Sequence, residues 1–134
     1  MVVVVSRGAL RYVVLRHDGI DDPHYDLMFE SPSGGGLATW RSTSWPIEQR
    51  TPVVKLPDHR LDYLDYEGPV SGNRGTVIRV ARGTYHLGDS RLGDWLIRWT
   101  AAPGGLLLEK VTGPEGAEEW YVCPMWPKRE PHGT

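Results

Sequence analysis

His24-Tyr25-Asp26-Leu27-Met28-Phe29-Glu30 reads as two interleaved rows. Tyr25, Leu27 and Phe29 form one row, and His24, Asp26, Met28 and Glu30 form the other. A period of two is the mark of a strand. The odd-numbered row supplies a plain core face. The even-numbered row begins with an imidazole and a carboxylate, which a strand places on one face with Cα atoms roughly 6–7 Å apart. His17 ends another strand-like run over residues 10–16. His17, His24 and Asp26 together offer two imidazoles and a carboxylate, a set that leaves positions on a transition metal open for water or substrate. Taken alone, a His-x-Asp pair on a strand is more often solvated polarity than a metal site, so both readings stand at this level.

Outward from that strand, residues 31–36 are a glycine-rich hairpin connection, and residues 37–41 pair back as the next strand. Further strands are expected at 10–17, 53–56, 76–85, 94–100, 105–112 and 118–123, with a short strand or arm at 2–5. One helical turn is expected around residues 59–63. Simple alternation in 76–85 puts Arg79 on one face and Arg82 on the other. Residues 18–23 form an acidic loop. Short strands at this spacing, with no long helix and no internal repeat, predict an all-β chain. The expected form is a small antiparallel β-barrel with short helical turns and irregular loops.

The chain has 134 residues, enough for one domain, with a core expected over about 9–123 and a weakly ordered tail at 124–134. Its 40% hydrophobic and 24% charged fractions are ordinary for a soluble protein. A formal net charge of −2 gives no global basic field, so any nucleic-acid contact must come from a local patch. The apolar run at residues 1–5 is too short for a membrane span or a signal core, and a cytoplasmic location is expected. The single Cys123 excludes an internal disulfide framework and a cysteine zinc site. With 16 Gly and 11 Pro, turns outnumber helices. Trp 6 against Phe 1 suggests indoles lining a surface groove or barrel mouth, whereas Trp40 and Trp45 individually read as core or barrel-closing residues.

The order of several motifs carries a resemblance. His17 is followed by His24-Tyr-Asp-Leu27. Trp40 and Ser44-Trp-Pro46 come next, then Asp58-His-Arg-Leu-Asp-Tyr63, Tyr66-Glu-Gly68, Gly75-Thr-Val77 and Arg82-Gly-Thr-Tyr85. Over roughly residues 9–100 this resembles the 3′-phosphoesterase domain of bacterial DNA ligase D, read here as a divergent stand-alone member. The resemblance implies a compact β-barrel that uses a divalent metal, preferably manganese, to process 3′ ends of broken DNA. Such an enzyme removes a terminal ribonucleoside and then the 3′-phosphate in the course of break repair by end joining. It implies that His17, His24 and Asp26 bind the metal and that His59 and Tyr63 contact the phosphate. The implied partners are DNA 3′ ends, in a primer-template or nicked duplex, and a separate ligase or polymerase; no membrane is involved. The family usually carries an arginine two residues after the metal-binding aspartate, and this chain has Met28 there.

Phosphate esters resist attack because their oxygens are negative, and a metal neutralises that charge. His59 is suited to donate to a phosphate oxygen or protonate a leaving oxygen, and Tyr63 to donate to the same phosphate. Glu30 is placed to orient a metal ligand. Arg50, Lys55 and Arg60 are the cations expected to replace the missing arginine. At least three of Arg41, Arg50, Lys55, Arg60, Arg74 and Arg79 are expected along one side of the pocket. Two alternatives accompany the enzyme: a non-catalytic module for DNA ends or a repair partner, and a phosphoesterase for a small molecule.

Overall fold

The 31–36 turn folds His24–Glu30 (β2) back against Leu37–Ser42 (β3), with Glu30 opposite Leu37 and Asp26 opposite Arg41. On its other edge β2 meets Leu10–Asp18 (β1), and His17 stands opposite His24. The remaining strands are Thr51–His59 (β4), Gly68–Pro69 (β5), Thr76–Gly88 (β6), Trp95–Trp99 (β7), Gly105–Thr112 (β8) and Glu118–Met125 (β9). Their order is β1-β2-β3-β4-β9-β8-β7-β6, and β6 pairs again with β1. This is a closed antiparallel ring of eight strands, in which β4 meets β9 over only three residues, Thr51 to Val53. β5 is a two-residue addition to β6. The structure, a computed structural model, describes residues 9–125. The short strand expected at 2–5 and residues 126–134 lie outside them. Among the described residues, no helix is long and apolar enough to cross a membrane.

The barrel interior is aromatic. Val14, Leu27, Phe29, Trp40, Tyr85, Ile97, Leu108 and Val122 are buried there, and Trp45, Trp95, Trp99 and Trp120 pack against them. Trp40 contacts Trp95 and Trp120 edge-on at centroid distances of 5.6 and 5.3 Å. Among the described indoles Trp40 is fully buried, the other four are half-buried against this core, and Trp120 also lines a surface groove between β4 and β9. A single phenylalanine cannot fill a barrel of this size, and large rings do so with few side chains.

A second apolar cluster lies on the outer side of the same wall. Val13, Leu15, Met28, Leu37, Leu64 and Val77 form it, and Tyr63 and Val70 pack on it. The 3-10 turn Leu61–Leu64 contributes Leu64 to this cover. Both rows of β2 are consequently buried, one in each cluster.

Two register shifts decide which side chains join the outer cluster. Directly opposed residues in a ladder share a face. Val14 pairs with Ala81 but Leu15 pairs with Arg79, so β6 holds one extra residue, Val80. A bulge of this kind reverses the facing of everything beyond it. Ala81 and Tyr85 belong with the interior, whereas Val77 joins the outer cluster. Arg79 and Arg82 stand opposite Leu15 and Val13, two residues of the outer cluster, so they share a face. The alternation read from sequence, which separated them, has no bulge in it. On β4, Trp40 pairs with Lys55 and Thr39 with Leu56, yet Leu37 pairs with His59. That second shift turns His59 to the outer side with Leu37.

Strand bounds differ from the expectation chiefly at these places. β4 runs to His59 instead of stopping at residue 56, because the bulge absorbs Pro57 and Asp58 into a continuing strand. β9 continues through Pro124 and Met125, which pair with Leu106 and Gly105, so the tail does not begin at residue 124.

Candidate functional site

His17 sits near the end of β1 and His24 opens β2, and their pairing holds the rings 5.0 Å apart, edge to face. Asp26, two residues along β2, shares the outer face with His24. One ligand atom from each of His17, His24 and Asp26 lies within 4.8 Å of the others. His24 and Asp26 are only 5% and 4% exposed, which is unusual for an imidazole and a carboxylate.

Their hydrogen bonds set the tautomers. His24 Nδ1 lies 2.7 Å from the carbonyl oxygen of Asp22. A carbonyl only accepts, so Nδ1 carries a proton, and in a neutral ring the lone pair is then on Nε2. His17 Nε2 donates in the same way to the Arg74 carbonyl at 2.6 Å, which leaves Nδ1 with the lone pair. His24 Nε2 and Asp26 Oδ1 are both buried without a hydrogen-bond partner. They face each other at 3.5 Å, beyond the roughly 2.7–2.9 Å of a charge-assisted hydrogen bond. A lone pair set against a carboxylate oxygen in a buried site is repulsive unless a cation stands between them. These donors fit a divalent transition metal, with His17, His24 and Asp26 as the residues that would hold it.

Arg41 stands opposite Asp26 on β3, and its Nε is 3.8 Å from Asp26 Oδ1. The guanidinium side chain is 44% exposed, so it reaches solvent as well as the cluster. A cavity of about 150 Å³ adjoins it, walled by His17, Asp26, Met28, Arg41, His59, Tyr63 and Arg74, with Val70 and Val77. His59 Nδ1 donates to the Pro57 carbonyl at 3.0 Å, which turns Nε2 outward as a free acceptor or proton carrier. The Tyr63 ring contacts the His59 ring at 5.7 Å. His59 ends a strand and Tyr63 belongs to the next turn, so they meet across a strand–turn junction and not along one helical turn.

Other side chains singled out in the sequence lie elsewhere. Glu30 shares the β2 face, but its carboxylate accepts from the Arg11 backbone N–H at 3.0 Å and faces the Arg11 guanidinium, away from His17, His24 and Asp26 in its hydrogen bonding. Arg50 is held by Glu109 at 3.1 Å and lies 3.7 Å over the Tyr121 ring. Those partners are on β8 and β9, and β8 is four strands from β2 in either direction round the ring. Lys55 is on the row of Val53, an interior residue, and its ammonium sits 5.0 Å from the Trp40 ring while pairing with Asp58. Arg60 lines a neighbouring cavity, and Arg79 pairs with Glu67. Of the basic residues expected in a row, Arg41 and Arg74 wall the pocket and the others do not. The 31–36 turn carries a signal for Arg41: counting back from Glu30 opposite Leu37 brings Arg41 opposite Asp26.

Gly75 lets the loop carrying Arg74 press against β1. Its φ is +80°, and a Cβ there would lie 2.2 Å from the Asp18 carbonyl oxygen. Gly75→Ala is expected to cost more than the roughly 1–2 kcal/mol of a left-handed non-glycine residue, because backbone must also move. A thermal melt should show the loss, and the His17–Arg74 bond should weaken with it.

No protein-family model matches the chain. The multifunctional non-homologous end joining protein LigD of Pseudomonas aeruginosa is 35% identical to it over 86 residues, which is 60% of this chain and 10% of that protein. The chain thus spans about a tenth of the length of the curated relative it matches.

Proposed function

We propose that this protein is a divalent-metal-dependent phosphoesterase that processes the 3′ ends of DNA, with manganese as the metal. The observation that carries this reading is the pair of buried, unpartnered atoms, His24 Nε2 and Asp26 Oδ1, grouped with His17 beside a cavity that also holds His59, Tyr63 and Arg41. The likeness to a protein named for end joining supports DNA ends as the substrate class. When bound, the metal would neutralise phosphate charge and lower the pKa of a bound water. The chain's own residues supply the rest. Arg41 offers a guanidinium to a phosphate oxygen. Tyr63 donates a hydroxyl hydrogen bond, and His59 Nε2 carries a proton to the leaving oxygen.

The test is release of phosphate from a 3′-phosphate primer-template with and without manganese. Arg41→Ala is expected to lower the rate by roughly one to two orders of magnitude, the value of one charged phosphate contact of about 1.5–3 kcal/mol. An unchanged rate removes Arg41 from the phosphate site.

One observation favours a small phosphorylated molecule as the substrate. The cavity measures about 150 Å³, and the basic residues around it do not form a groove. Duplex DNA should inhibit a DNA enzyme in a salt-sensitive way and leave a small-molecule enzyme untouched.

A further inference from the structure

A second cavity of about 390 Å³ adjoins the first and shares Tyr63 and Val70 with it. Its other walls include Arg60, Asp62, Tyr66 and Ser71. The Tyr66 hydroxyl donates to the Pro69 carbonyl, which fixes the ring over the cleft. Its ring stands perpendicular to that of Tyr63 at 6.1 Å, and Tyr66 is 38% exposed. No step proposed above uses this space.

We infer that this cleft seats the nucleobase of the nucleotide whose phosphate lies in the first cavity. This rests on the phosphoesterase reading and extends it to what the phosphate is attached to. A cavity of about 150 Å³ accommodates a phosphate but not the group esterified to it. Tyr63 and Val70 belong to the walls of both cavities, so a group esterified to a phosphate in the first can extend past them into the second, which is an open cleft. The space has the chemistry of a base site. Tyr66 presents an aromatic face for stacking, and the Arg60 guanidinium is a second planar surface. Asp62 can accept from an exocyclic amine, and the Ser71 hydroxyl can donate or accept at a ring edge. Solvent-exposed tyrosines hold a base with little sequence preference, because every base has a π-face.

The test is calorimetric titration of the manganese-loaded protein with inorganic phosphate, base-less deoxyribose 3-phosphate and deoxynucleoside 3′-monophosphates. The nucleotides should bind about tenfold tighter than the base-less sugar phosphate, the scale of one stacked base. Tyr66→Ala should erase that difference and leave phosphate affinity unchanged. Tyr66→Phe, which keeps the ring and loses the bond to Pro69, should retain it. Equal affinities for nucleotide and base-less sugar phosphate overturn the inference, as does Tyr66→Ala weakening all three ligands alike. So does the absence of binding by any of the three. The 3′-phosphate release assay then decides separately whether the phosphoesterase reading survives.

Discussion

Asp26→Asn is expected to stabilise the metal-free protein by about 1 kcal/mol and to abolish its response to manganese. In the parent, His24 Nε2 and Asp26 Oδ1 face each other at 3.5 Å, buried and without hydrogen bonds. An asparagine of the same shape can turn an N–H toward the Nε2 lone pair and satisfy both side chains. It also removes the charge that a divalent cation needs. Thermal melts with and without manganese read both effects. At a hundredfold excess over Kd the parent should gain about 2.7 kcal/mol, roughly 10 °C for a chain of this size. Asp26→Asn should gain nothing, and neither Asp26→Asn nor Asp26→Ala should release phosphate from a 3′ end. If instead a proton bridges the pair as an ordinary ion pair, Asp26→Asn will destabilise the metal-free protein. That sign, or a preserved manganese shift, would remove the metal centre and leave the binding-module reading.

Met28→Arg is the second large effect, and the structure reverses the sense in which the sequence alone would frame it. The resembled family carries arginine at this position, so restoring one is the intuitive route to higher activity. Met28 is 1% exposed, however, and packs with Val13, Leu15, Leu37, Leu64 and Val77 while also walling the cavity of about 150 Å³. A guanidinium there must either be buried among aliphatic side chains or fill the cavity proposed above for phosphate. Overpacking and partial burial of a charge are expected to cost about 1–3 kcal/mol, with no gain in rate while Arg41 is present. Arg41 already brings its Nε to 3.8 Å from Asp26 Oδ1 from the neighbouring strand. The pair of changes Met28→Arg and Arg41→Ala should recover part of the rate lost in Arg41→Ala alone. A rise in rate for Met28→Arg by itself would show that the outer cluster opens and that Arg41 does not clamp the phosphate.

Much of this arrangement was legible before folding. The alternation in His24–Glu30 puts His24, Asp26 and Met28 on one face, because strand side chains alternate whatever they pack against. The glycine-rich 31–36 turn marks a hairpin, and once Glu30 is paired with Leu37 the antiparallel count sets Arg41 opposite Asp26. Abundant turn residues and short alternating runs were enough for an all-β barrel. Other features belong to the tertiary structure. Whether Lys55 faces inward and His59 outward depends on an extra residue in β4, and Val77 reaches the outer cluster through an extra residue in β6. A bulge leaves no mark in a strand's own periodicity, since it exists only relative to the partner strand. Arg50 read as a free cation until folding laid Tyr121 and Glu109 beneath it. The buried state of His24 Nε2 and Asp26 Oδ1, with no hydrogen bond to either, is likewise a product of folding, because burial of an atom depends on what the rest of the chain packs around it.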